Sequence, residues 1–255
     1  MVVAGNEVAV VEYLFDRLNQ IDLKHIGKLN KIGNPSKSGK IKNLNSYQEL
    51  KSVKTEASLK KADIYLNEVG VSIKQEGGNF LYNRLQREGI KPVLEKLNIN
   101  NKDEILNKLD EEVLKYHQGE RDDRNIKWND IFKRRDFYDI LKYLMMTGYP
   151  KKESEYKAKF ILEAPKNIKD DKNIKLYIFD EYFNEFQDKI VLSIRRQWVG
   201  QKSNSEHKRA LGLSKKKDNE PWVFKSIVGQ PSGWRDDFLE DERKTVYFLM
   251  IEKLA

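Results

Sequence analysis

The sequence predicts a mixed α/β (α+β) protein, a mixed β-sheet flanked by helices. Three observations predict it. Before residue 150, apolar residues recur at helical spacing in several stretches. After it, runs of β-branched and aromatic residues follow one another. No internal repeat or low-complexity tail interrupts the two patterns. They sum to one domain over 1–255, helix-rich over 1–150 and strand-rich over 151–255.

Each element has its own signal. Residues 6–20, "NEVAVVEYLFDRLNQ", place Val8, Val11, Phe15 and Leu18 on one helical face. Residues 27–45 are rich in Gly, Ser, Asn, Pro and Lys and read as an exposed basic loop. Ser46 and Glu49 have capping-box spacing for a partly helical 46–61. A β-hairpin follows over 62–75. "NFLYNRLQREGIKPVLEKL" reads as helix, break, helix, with Gly89 and Pro92 near the break. Ile105, Leu109, Val113 and Tyr116 mark a helix over 102–117. Phe137, Leu141, Leu144 and Met145 mark another over 130–146, stopped by Gly148 and Pro150. "KAKFILEAP", "IKLYIFDEYF", "KIVLSI", "WVFKSIV" and "KTVYFLMIEKL" read as strands, and 195–221 as a polar basic segment without period.

Composition narrows the function. The 255 residues carry 48 Lys plus Arg against 40 acids, a net charge of +8. A basic chain meets polyanions, although Lys- and Asn-rich usage alone also gives such a balance. With no cysteine there is no disulfide framework, thiolate metal site or cysteine nucleophile, which suits a reducing cytoplasm. No apolar run reaches the ~18 residues of a membrane span. Glu7 and Glu12 argue against a signal peptide at the N-terminus. There is no phosphate-binding glycine loop or nucleophile elbow, and His25, His117 and His207 lack metal-ligand spacing. Carboxylates and lysines must therefore carry any chemistry.

The hairpin "KKADIYLNEVGVSIKQEGG", 60–78, gathers such groups. With Asn67-Glu68 as a two-residue turn, Leu66 pairs with Val69 and Asp63 falls opposite Ser72. Alternation puts Ile64, Leu66, Val69, Val71 and Ile73 on a core face. Asp63, Tyr65, Ser72, Lys74 and Glu76 share the other. Opposite Cβ atoms lie about 5 Å apart and diagonal ones roughly 7–8 Å. That span suits Mg²⁺, with oxygen ligands at about 2.1 Å, beside an ammonium. The chemistry favoured is metal-assisted phosphodiester hydrolysis. A plain ribbon carrying an exposed Asp63–Lys74 ion pair fits the same pattern.

"AD" at 62–63 and "SIK" at 72–74 resemble the PD-(D/E)XK nuclease superfamily, and "GGNFLYNRL" is similar to its type II restriction endonucleases. The resemblance covers the hairpin and, more loosely, the helix "GNEVAVVEYL". It implies a restriction-endonuclease-like core and a Mg²⁺-dependent enzyme cutting double-stranded DNA at a short specific sequence. Asp63 matches the metal-binding aspartate, Lys74 the catalytic lysine, and Ile73 the position whose carbonyl ligates metal. Ser72 stands where the family has its second acid, and Ala62 where it has proline. Glu76, Glu7, Glu12 and, more weakly, Glu56 are candidates for the missing carboxylate. The resemblance also implies a homodimer for a palindromic site and a cognate DNA methyltransferase.

For DNA binding, Arg195, Arg196, Gln197, Lys202, Asn204, His207 and Lys208 offer base and phosphate donors. Lys215, Lys216 and Lys217 suit phosphates, and Lys37, Lys40 and Lys42 could track a backbone. Two other readings stay open: a repair or junction-resolving nuclease of the same fold, and a nucleic-acid-binding protein without activity.

Overall fold

The computed structural model describes residues 6–36, 39–50, 60–78 and 80–254. In chain order the main elements are α1 (Glu7–Asp16), β1 (Ile32–Pro35), β2 (Ile41–Asn43), β3 (Ile64–Leu66), β4 (Val69–Gln75), β5 (Phe80–Leu85), α2 (Arg87–Lys96), α3 (Lys102–Gln118) and β6 (Asn125–Lys127). They continue with α4 (Arg134–Lys142), β7 (Phe160–Ala164), β8 (Lys175–Ile178), α5 (Phe179–Phe186), β9 (Ile190–Val199), α6 (Asn204–Ser214), β10 (Val223–Phe224) and β11 (Lys244–Lys253). The protein is thus mixed α/β, with mixed strands flanked by helices. No helix among the described residues is long and apolar enough to cross a membrane.

Contacts group the chain into two compact units whose segments interleave along the sequence. The first comprises 1–79, 141–189 and 254–255, the second 80–140 and 190–253. Long-range strand pairing decides this, and local periodicity does not register it.

The first unit holds a six-stranded sheet in the order β8-β7-β4-β3-β1-β2. All pairs are antiparallel except β4 with β7. One face is apolar. Ile64, Leu66, Val71, Ile73, Phe160, Leu162 and Leu176 form a core with Val10, Val11 and Leu14 of α1. The helix is therefore rotated slightly from the expected Val8–Val11–Phe15–Leu18 stripe, and Phe15 and Leu18 pack at the edge. α5 lies against β7 and β8. It begins where a strand was expected to continue. Phe179, Tyr182, Phe183 and Phe186 recur at i, i+3, i+4 and i+7, a helical stripe.

The second unit is built on β9 and β11, paired along their full lengths, in the order β10-β11-β9-β6, with β5 also on β11. Here the helix–break–helix expectation for 79–97 fails. Phe80–Leu85 is a strand, bulged where it meets β11, and Arg84 takes a φ of 59°. Leu81 and Leu85 are buried, and pairing overrides helix propensity. Pro92 sits inside α2, at the loss of one N–H to the Glu88 carbonyl. The 130–146 helix appears as Trp128–Ile131, α4 and a π-helical turn Tyr143–Thr147 ending at Gly148. Its four marker residues are all buried. The segment expected to lack period finishes β9 and then forms α6. α6 buries only His207, Ala210 and Leu213, so its periodicity is faint.

Candidate functional site

The hairpin folds as its alternation implies. Asn67 and Glu68 both take positive φ, 46° and 69°, as a two-residue hairpin turn of this kind requires. Glu is a poor residue for that conformation. It is held by Lys31, 2.7 Å from its carboxylate, while the Asn67 side chain accepts from the Asn30 and Lys31 N–H groups. Leu66 pairs with Val69 and Ile64 with Val71, and the Asp63 N–H donates to the Val71 carbonyl at 2.8 Å. Asp63 therefore faces Ser72.

The Asp63 carboxylate is fixed from two sides. The Ile73 N–H donates to its Oδ2 at 2.8 Å, and the Ser72 hydroxyl donates to the same oxygen at 3.4 Å. In an antiparallel ladder one residue's N–H and C=O point to the same neighbour. The Ile73 carbonyl is thus directed to the edge where Asp63 sits. Lys74 follows, half-buried, on the same face as Ser72.

The parallel partner β7 adds what the hairpin lacked. Its register sets Ile161 beside Ser72 and Glu163 beside Lys74. Phe160, Leu162 and Ala164 enter the apolar core, so Glu163 projects on the polar face. It is 3 % exposed, a buried carboxylate one strand spacing from the lysine. Burial, and then the Glu163 charge, push the Tyr182 phenol well above its ordinary value. Tyr177 is raised by burial, Glu185 and Glu163. Sequence reasoning passed over Glu163. The signal was present as one acid inside the apolar run "KFILEAP".

A second lysine joins the group. Lys61 is two residues before Asp63 and is buried. Its ammonium donates to the Leu144 carbonyl at 2.6 Å and lies 3.6 Å from the Tyr149 ring centroid. Burial and then the Lys74 charge lower its pKa to about 7, with Asp63 opposing. Gly70 lets the crossing chain approach this hairpin. A Cβ there would lie 2.2 Å from the Lys157 carbonyl oxygen.

The other acids sit differently. Glu76 lies beyond the end of β4, exposed and 3.0 Å from Lys175. α1 packs on the apolar face, opposite Asp63 and Lys74, and Glu12 on it is exposed. Glu7, half-buried, follows Asn6, whose amide donates to the Ala164 and Pro165 carbonyls at the end of β7. Glu56 and Lys37 lie outside the described residues, and Lys40 and Lys42 are exposed in the first unit. Among the described residues no group of three or more His, Asp and Glu could hold a metal. Mg²⁺ keeps several waters and needs only one or two carboxylates. Asp63, Glu163 and the Ile73 carbonyl are oxygen donors on the strands of this face.

The expected DNA-binding residues from Arg195 to Lys208 fall in the second unit, and the fold employs several of them internally. Arg195 donates to buried Glu252 at 2.5 Å. Arg196 lies across the Tyr116 and Trp198 rings. Gln197 is buried and accepts from Arg84 at 3.3 Å. His207 is buried too, its Nδ1 accepting the Gly200 N–H at 2.9 Å. Lys202, Asn204 and Lys208 are exposed. The chain matches no protein-family model, no curated protein and no solved structure.

Proposed function

We propose that the protein is a Mg²⁺-dependent endonuclease that hydrolyses phosphodiester bonds of double-stranded DNA, with its active face on β3, β4 and β7. One observation carries the reading: Asp63, Ser72, Lys74 and Glu163 share one sheet face, with Asp63 held by the Ile73 N–H. A helix, an antiparallel three-strand meander and a following parallel strand also suit a restriction-endonuclease-like core. Glu163 answers the departure at Ser72, supplying from β7 the second carboxylate.

In hydrolysis one water oxygen bonds to phosphorus, the ester P–O bond breaks, and the proton goes to the released oxygen. Asp63, Glu163 and the Ile73 carbonyl would hold the metal, which supplies charge neutralisation and a more acidic water. Ser72 and the Ile73 N–H keep Asp63 in one rotamer. Lys74 orients the attacking water and offsets charge on phosphorus. Lys61, buried behind it, keeps a second positive charge close when protonated. Site specificity, a homodimer and a cognate methyltransferase belong to the type II reading, which rests on the resemblance of Asp63 and the Ser72-Ile73-Lys74 run.

Incubation with plasmid DNA in Mg²⁺ or in EDTA tests this. Discrete metal-dependent bands are expected. Asp63→Asn, Lys74→Ala and Glu163→Gln should each lose at least about a hundredfold in rate, in line with loss of a group acting on the transition state. Full cleavage by Lys74→Ala would refute the site. Cutting confined to branched or damaged DNA would favour a repair or junction nuclease. Binding without any cutting would favour a non-catalytic protein.

A further inference from the structure

We propose that the second unit grips a nucleic-acid backbone along the exposed face of α6 and in the lysine-lined groove at the end of that helix. The choice of nucleic acid as ligand rests on the nuclease reading. The groove itself does not.

Five lysines line the groove, whose volume is about 350 Å³: Lys215, Lys216, Lys217, Lys225 and Lys244, with Glu220 the one acid among its lining residues. Only Lys215–Lys217 are neighbours in sequence. β10 brings in the others, because Phe224 pairs with Thr245 in an antiparallel register. Lys225 follows Phe224 and Lys244 precedes Thr245, so both lie at the end of this ladder. Like charges gathered in one groove repel, and an anionic ligand between them relieves the repulsion. Lys216 is paired with Glu88, and the other four lysines line the groove with it.

The helix leading there carries a second, independent mark. Asn204, Lys208, Gly212 and Lys215 recur at helical spacing on the side of α6 opposite buried Ala210 and Leu213. Gly212 destabilises a helix interior relative to alanine. Nothing lies within 4 Å of the place its Cβ would take, so packing does not require it. A bare helix surface between two lysines admits close approach of a phosphate strand. From Lys208 to Lys215 the helix rises about 10 Å, roughly three phosphates at 3.4 Å of duplex rise each. Salt-sensitive backbone contacts of this kind give affinity without sequence preference.

The test is anisotropy of a fluorescein-labelled 24-base-pair duplex in EDTA, titrated with KCl. Lys215→Ala/Lys217→Ala/Lys225→Ala should weaken binding at least tenfold. It should also lower the log–log salt slope by about 2–3, near 0.9 per lost phosphate contact. Gly212→Leu should raise Tm and still weaken binding. Wild-type affinity and slope in the triple variant overturn the proposal. So does displacement of the duplex by a mononucleotide at equal phosphate concentration, which would mark a pocket for free nucleotides. Wild type that binds in this way but leaves DNA uncut in Mg²⁺ sinks the nuclease reading and leaves the groove standing. Wild type that cuts while the triple variant binds unchanged sinks the groove alone.

Discussion

Lys61 shows how much a single buried charge can set. Its ammonium is desolvated beside another lysine, and its pKa falls to about 7 from an ordinary value of 10.5. Between those values the unfolded chain holds a proton that the folded chain has released. Stability then rises with pH across about 7 to 10, at up to about 1.4 kcal/mol per pH unit. Lys61→Met should flatten this rise, measured as the urea midpoint at several pH values. A stability difference between variant and wild type that does not change with pH would mean that Lys61 stays charged throughout. Glu163 is also buried, at a register position beside Lys74, where a polar group needs hydrogen-bonding or charged partners.

At the scale of elements, the parallel pairing of β4 with β7 assembles the proposed site. Each strand alone carries a partial set, Asp63–Ser72–Lys74 on the hairpin and Glu163 on β7. Gly70 controls how closely they join, because its carbonyl accepts the Lys159 N–H at 2.7 Å while the Lys157 carbonyl crosses over its Cα. Gly70→Ala places a methyl group against backbone that cannot rotate away. The expected cost is about 1–3 kcal/mol, read as a lower urea midpoint, with cleavage falling as Glu163 shifts from Lys74. An unchanged midpoint would mean that the crossing chain adjusts freely. The hairpin's register and faces were legible in the sequence, since period-2 alternation and a two-residue turn fix both. The strand character of 80–85 was less legible, because Gly, Pro and helix formers follow it closely and its partner β11 lies far away in sequence.

For the whole molecule, the two proposed roles fall in different units. The carboxylates and Lys74 lie in the first, and the proposed backbone grip lies in the second. Two buried histidines of the second unit tie its stability to pH. His117 is lowered by burial and Arg196, and bonds Tyr247 at 3.1 Å and Ser226 at 2.6 Å. His207 is lowered by burial and Arg235, and accepts the Gly200 N–H at Nδ1. Both folded pKa values lie below the ordinary 6.5, so their contribution is full above that pH. It is lost as pH falls below it, where the unfolded chain binds the protons first. Tm should therefore drop between pH 7.5 and 5.5. In His117→Gln/His207→Gln it should be lower at pH 7.5 but change less over that range. An equal drop in the variant would assign the acid sensitivity to other groups.

The sequence by itself determined the mixed α/β class, the faces and register of the hairpin, the helix over 102–117 and the strands near 160, 190 and 245. These follow from local periodicity and turn chemistry, which act between neighbours in the chain. Tertiary structure decided the rest. It divided the chain into two interleaved units. It enlisted Arg195, Gln197 and His207 into internal hydrogen bonds, and it brought Lys225 and Lys244 into one groove. It also set Glu163 beside Lys74 across 89 residues of chain. The physical reason is common to all of these. Which strands pair, and in what register, depends on the burial of whole faces. No window of neighbouring residues contains that information.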